Sequence, residues 1–390
     1  MDKRSITAIA IAALQLISGL IVTRIILVYF GANGYLRFSE YNNYTSMILS
    51  LCGASFHSGV IQLISSKGSI QSRDVSLIHS SSILPYIIGV FGFSIYICIF
   101  PSKIVSNGIL LYGIILIIPR LLVRHWEGIN NGLENLRVIL LSRVSLLVST
   151  LLILAFAALT KESVFYYLLP FTFILPLIIL VNNHKSIFFS GIIRNTRDFV
   201  GLYRFASYSL ITAVSTSVSA IYMRNFLLAS VSDVDASQWQ GVFSISNYYL
   251  SLVSVPIAMV LLPKFSKDAQ FKLYLNIILG VFFLALLPAV IILLFRDLLS
   301  KVLFDSQIEL PFTLMLSYMG ASFVRIFQVV IVQVYLGQKK VFLPCASEIV
   351  FVLVLLILGY SSNISIHTNF LLASCISALV MLFGYVKRSD

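Results

Sequence analysis

The feature that most constrains this chain is a recurrence. Apolar segments of about twenty residues follow one another along its length, separated by short polar connections such as SSKGSIQSRD and PKFSKDAQFK. At about 1.5 Å per residue, such a segment wound as a helix crosses a hydrocarbon core of roughly 30 Å. Twelve spans are expected, over 6–30, 41–65, 77–99, 107–126, 138–159, 163–182, 205–229, 239–262, 273–295, 310–335, 341–360 and 366–386. A membrane barrel would instead show short stretches of alternating polarity, and these are missing. Composition agrees: 59% of residues are hydrophobic, 11% are charged and the mean hydropathy is +0.98, too little charge to cover a soluble surface. The chain reads as an all-α integral membrane protein. Its first apolar run follows MDKR in the charge order of a signal peptide. The run is too long for one, lacks a clean small-x-small site and is followed by further spans, so it reads as an uncleaved first helix.

The longest connection, 183–204, divides the spans six and six. The expected organisation is an N-terminal lobe over 1–182, a cytoplasmic linker over 183–204 and a C-terminal lobe over 205–390. An even number of spans per half gives both halves the same orientation, as in a parallel two-lobe transporter. Arg24 and Arg224, near the ends of the first and seventh spans, fit a diverged internal repeat. With the N-terminus inside, nineteen of the twenty-seven Lys and Arg fall in cytoplasmic segments, Arg120, Arg124 and Arg143 among them, and five in outer loops. Both termini are therefore expected in the cytoplasm. The net charge of +12 is scattered over connections and offers no basic face to nucleic acid. Cys52, Cys98, Cys345 and Cys375 lie in apolar segments without metal-ligand spacing and read as packing residues, with no metal site.

Three cations are left inside spans: Arg24, Arg224 and Arg325. An arginine at the centre of a membrane helix costs about 2.5–3.5 kcal/mol on insertion scales. The arginines therefore point to a water-filled cavity, an ion partner or an anionic ligand. Arg24 lies six residues, roughly 9 Å, from the outer end of its span. Snorkelling to the headgroups stays open for it and for Arg224. Arg325, about fifteen residues into the tenth span, is hardest to explain that way. Polar lines accompany these residues: Ala213, Ser217, Ala220 and Arg224; Ser244, Asn247, Ser251 and Ser254; Ser317, Ala321, Arg325 and Gln328. Such stripes suit close helix packing or a hydrated cavity. Glu348 and His57 are the candidates for coupling to a proton or sodium gradient, with an interfacial or packing role as the alternative. There is no GxxxxGK[ST] loop for nucleotide hydrolysis and no outer loop long enough for a catalytic domain, so an enzyme is not expected.

The stretch MRNFLLASVSDVDASQWQGVFSISNYYLSLVSVPIAMVLLPKFSK resembles the seventh-to-eighth span region of Wzx-type flippases for O-antigen and enterobacterial common antigen. The likeness rests on MR at 223–224, WQG at 239–241, SIS at 244–246 and LLPKFSK at 261–267. FGANG at 30–34 and SE at 347–348 look similar too. The resemblance implies the multidrug/oligosaccharidyl-lipid/polysaccharide exporter (MOP) superfamily, with two pseudo-symmetric six-helix lobes around a central cavity. It also implies transfer of an oligosaccharide linked to undecaprenyl pyrophosphate from the cytoplasmic to the periplasmic leaflet. An O-antigen polymerase and a chain-length regulator would be its partners in lipopolysaccharide assembly.

The expectation is thus an alternating-access flippase without a cofactor. Arg224, Arg24 and Arg325 would bind pyrophosphate, Ser217, Asn247, Ser251 and Gln328 the glycan, and the polyprenyl tail would stay among membrane lipids. The alternatives are a multidrug cation exporter of the same superfamily, an O-antigen polymerase and a membrane scaffold. An acid-lined cavity would mark the exporter, a long periplasmic loop the polymerase.

Overall fold

A computed structural model describes residues 3–99, 105–182, 184, 199–200, 202–204, 207–208, 210–212, 214–215, 219, 223, 233–267, 275–304, 308–338, 340–360 and 366–389. Among these residues every regular element is helical. Six helices are long and apolar enough to cross a membrane, and two bent pairs raise the number to eight. Large apolar side chains such as Phe91, Leu152, Leu159, Phe283, Leu287 and Ile357 point outward, as lipid contact requires. The protein is a multi-pass membrane protein.

Where the chain bends, the sequence supplies the means. The first two expected spans run into one helix, α1 (Lys3–Leu51), kinked at Gly31 with φ 69° and ψ −174°. That region of backbone space is open essentially only to glycine. The helix breaks at Gly53, which has a φ of 111°. A 3₁₀ turn (Ala54–Phe56) then leads into α2 (His57–Lys67). Gly68 closes α2 in the left-handed conformation, its N–H donating to the Ile64 carbonyl at 2.9 Å. Asp74, in the first turn of α3 (Ser72–Ile99), accepts from the Gln71 backbone N–H at 3.0 Å and from Lys67 Nζ at 2.5 Å, locking the α2–α3 turn.

The fourth span departs from expectation in a way that matters. Helices α4 (Asn107–Ile115) and α5 (Ile118–Gly132) meet at 45°, with Pro119 starting α5. The span continues past the expected end at 126, and Glu127 and Asn130 of EGINNG find partners inside the protein. Asn130 Nδ2 donates to the Trp126 carbonyl at 2.9 Å, and His184 Nε2 donates to Asn130 Oδ1 at 3.2 Å. Arg120 and Arg124 therefore sit well inside the span. α6 (Leu136–Leu159) follows, then α7 (Glu162–Leu168), a 3₁₀ stretch (Leu169–Phe173) and α8 (Ile174–Asn182).

Next come α9 (Asp233–Lys267), α10 (Leu275–Leu294), α11 (Arg296–Phe304), α12 (Phe312–Gly337), α13 (Phe342–Tyr360) and α14 (Ile366–Ser389). The chain forms two compact units. Unit 1 comprises residues 1–14 and 29–217. Unit 2 comprises 15–28 and 218–390, so a piece of α1 containing Arg24 packs with the C-terminal helices. In unit 1, α5 docks on α2 through Gly128 and Gly132. A Cβ added at these positions would meet Val60 at 3.1 Å and Ile64 at 2.7 Å. In unit 2, α12 packs on α9 and α14, and α13 packs on α14.

Candidate functional site

The sequence-selected residues fall in different settings. Ser217 and Arg224 lie outside the described residues. Arg24 follows Thr23, whose Oγ1 is 3.1 Å from the Tyr248 hydroxyl of α9. Gly19, one turn earlier, lets α1 approach that ring, since a Cβ there would meet Tyr248 at 2.7 Å. Asn247 and Ser251 sit half-buried on α9 in the same unit.

Arg325 has an acidic partner that spacing within its own helix did not reveal. Its Nη2 lies 2.9 Å from Glu348 Oε2 and 3.2 Å from Oε1, and its guanidinium carbon stands 4.4 Å from the centre of the Phe351 ring. Both partners are buried, at 8% and 3% exposure. Glu348, singled out as an ion-coupling candidate, is held by this pair. Gln328 Nε2 donates to Ser347 Oγ at 3.2 Å and Ser377 Oγ at 2.9 Å, joining α12, α13 and α14. The line read as Ser317, Ala321, Arg325 and Gln328 thus turns Arg325 and Gln328 towards neighbouring helices of unit 2. An aromatic train continues from it. Phe351 meets Phe370 edge-on, Phe370 stacks on Tyr318 at 4.8 Å, and the Tyr318 hydroxyl accepts from Trp239 Nε1 at 2.7 Å. This anchors the tryptophan of WQG.

The residues that sequence reasoning passed over are in unit 1. Arg120, Arg124 and Glu127 follow one another at +4 and +3 on α5, and Arg143 comes from α6. Arg143 Nη2 donates to Glu127 Oε2 at 3.0 Å, and its Nε stands 2.9 Å from Oε1 as an ion-pair contact. Arg124 Nη1 is 3.5 Å from the same Oε2. Arg120 meets hydroxyls: Thr45 Oγ1 at 3.3 Å and Ser46 Oγ at 3.2 Å, with the Phe173 ring centre 5.5 Å away. Among the described residues, two guanidiniums therefore share the Glu127 carboxylate, and Arg120 is paired with no carboxylate. Glu127 is 2% exposed, whereas 38% of the Arg124 side chain and 14% of the Arg143 side chain remain accessible. His57 is pinned to this cluster, Nδ1–H donating to the Arg124 carbonyl at 3.0 Å. The available signal was the pair Arg120 and Arg124 within a segment already marked as a span. In the sequence alone the positive-inside bias accounts for both.

The all-helical fold is similar to that of solved transporters. It matches an outward-facing multidrug resistance MATE family transporter at a TM-score of 0.76 and 12% identity, over 99% of this chain and 94% of that one. It matches a MOP superfamily transporter from Pyrococcus furiosus, for which reverse polarity of the binding pocket suggests a different function, at 0.73 and 13%, over 99% and 94%. Identity at this level establishes the fold. By sequence, the chain is similar to the lipid III flippases of Escherichia coli (strain K12) and Shigella flexneri, each 39% identical over 66 residues, or 17% of this chain. The match spans 16% of the length of each of these relatives. No family model matches the chain.

Proposed function

We propose that the chain is a flippase that moves an oligosaccharide linked to undecaprenyl pyrophosphate from the cytoplasmic to the periplasmic leaflet of the bacterial inner membrane. It works by alternating access, with both termini in the cytoplasm. The observation that carries this reading is the sign of the charge inside unit 1, where Arg124 and Arg143 pair with Glu127 and Arg120, one turn before Arg124, meets only hydroxyls. A substrate bearing phosphates offsets such an excess, and guanidinium forks match phosphate oxygens. The 66-residue likeness to lipid III flippases supports the same reading, as does a relative of the same fold with a pocket of reverse polarity. Arg24 and Arg224 are assigned to the pyrophosphate, and Ser217, Asn247 and Ser251 to the glycan. Arg325 and Glu348 form an internally neutral pair whose part is to hold α12 on α13. His57 lies beside the arginine cluster, where proton coupling to a gradient would act.

The competing reading, export of a cationic drug, is favoured by the whole-chain likeness to a multidrug MATE transporter. A cation site calls for carboxylates facing the ligand, and Glu127 is already gripped by arginine. Deletion of the gene in its bacterium separates the readings. Lipid-linked repeat units accumulating on the cytoplasmic side, with surface polysaccharide lost, is the expected result. Unpolymerised units gathering outside would point to a polymerase. Unchanged polysaccharide with drug sensitivity would point to the exporter.

A further inference from the structure

We infer that Arg120 and Arg124, with Arg143 behind them, form a phosphate-binding site in unit 1 in which Glu127 is a built-in competitor of the bound anion. The inference rests on the reading of an anionic substrate and assigns the place and the regulator of one contact with it. All of its residues belong to unit 1.

The three guanidiniums differ in what they have already used. Arg143 spends Nη2 on Glu127 Oε2 at 3.0 Å and holds its Nε 2.9 Å from Oε1 as an ion-pair contact, so its charge is committed to that carboxylate. Arg124 reaches that carboxylate only at 3.5 Å, the limit of a hydrogen bond, so Glu127 serves it poorly. Arg120 is oriented by neutral hydroxyls at 3.2 and 3.3 Å, which fix its direction without balancing its charge. A guanidinium has five N–H donors, so several on Arg120 stay open to an acceptor.

Arg120 and Arg124 are four residues apart on one helix, where side chains are neighbours and like charges repel. Inside a span that repulsion is weakly screened. A phosphate between them would take both forks, and the exposed 38% of the Arg124 side chain provides access. Glu127, one turn further along α5, is the only carboxylate the described residues bring to these arginines. It pulls Arg124 away from an incoming anion. The docking of Gly128 and Gly132 on α2 keeps Glu127 from moving aside. Affinity is thereby held down, which suits a transporter that must release its cargo.

Two substitutions with opposite signs test this on the purified full-length protein, using inorganic pyrophosphate as probe in titration calorimetry. Wild type is expected to bind saturably, Arg120→Gln to weaken binding at least about tenfold (1.4 kcal/mol per decade), and Glu127→Gln to tighten it. Glu127→Gln is also expected to melt earlier than wild type without pyrophosphate and to gain more on its addition. A structural role alone would shift both variants the same way. If Arg120→Gln does not fold, Arg120→Lys keeps the charge but loses the fork, and is expected to bind more weakly. Nanodiscs of phosphatidylglycerol and of phosphatidylcholine identify the source. Competition by phosphatidylglycerol assigns the site to a lipid headgroup, and its absence assigns it to the phosphates of the cargo. Unchanged binding in Arg120→Gln, or weaker binding in Glu127→Gln, overturns the site while leaving the flippase reading to its own assay. Absence of saturable binding by wild type overturns the site as well.

Discussion

Glu348→Gln tests the account of unit 2 most severely. The substitution keeps the shape of the side chain and removes the charge opposing Arg325. That guanidinium is 8% exposed, and its Nη2 lies within 3.2 Å of both carboxylate oxygens. Contact with Phe351 at 4.4 Å gives a residual attraction for the cation but cannot replace a full counter-charge. Breaking one side of a buried pair costs about 3–5 kcal/mol, because the partner is left charged and desolvated. At roughly 2–4 °C per kcal/mol for a unit of this size, the melting temperature should fall by about 6–20 °C. Arg325→Met should cost a similar amount. The double variant Arg325→Met/Glu348→Met removes both charges at similar volume, and should recover most of the loss. Thermal unfolding of the detergent-purified protein, read by intrinsic fluorescence and size-exclusion profile, gives all three numbers. Single variants as stable as wild type, or a double variant less stable than either single, would refute the reasoning.

Three further outcomes follow from local geometry. Gly132→Leu should destabilise by about 1–3 kcal/mol through overpacking, because its Cβ would stand 2.7 Å from that of Ile64; reduced yield and melting temperature measure it. Gly31→Ala should cost about 1–3 kcal/mol, since alanine does not tolerate φ 69° with ψ −174°. Gly68→Ala, at a left-handed helix cap with ψ 0°, is the milder comparison in the same melting assay. Trp239→Phe removes the donor to the buried Tyr318 hydroxyl and should cost about 1–3 kcal/mol. Trp239→Phe combined with Tyr318→Phe should cost less than the sum of the two singles in a double-mutant cycle.

Hydropathy made most helices legible, because a segment that must bury its backbone in lipid advertises itself in apolar length. What it could not show was how helices join or end. The first two spans run through Gly31 as one kinked helix, and FGANG reads equally well as a loop. The fourth span carries on through EGINNG because Asn130 and Glu127 find partners inside the protein. A sequence shows only that such residues are polar. The partner of Arg325 was invisible for a related reason. Glu348 is 23 residues away on the next helix, beyond any +3 or +4 search. The arginines of unit 1 were in plain view. Counting them towards orientation hid the fact that they converge, since convergence depends on α6 bringing Arg143 to α5.

The central claim is that the protein moves a pyrophosphate-linked lipid. The direct measurement is translocation of a fluorescent polyprenyl-pyrophosphate-linked oligosaccharide across proteoliposomes containing the purified protein, beside uptake of a cationic dye in the same vesicles. The account predicts protein-dependent translocation of the lipid-linked sugar, reduced in Arg120→Gln, and no transport of the dye. Dye transport without movement of the lipid-linked sugar would contradict it.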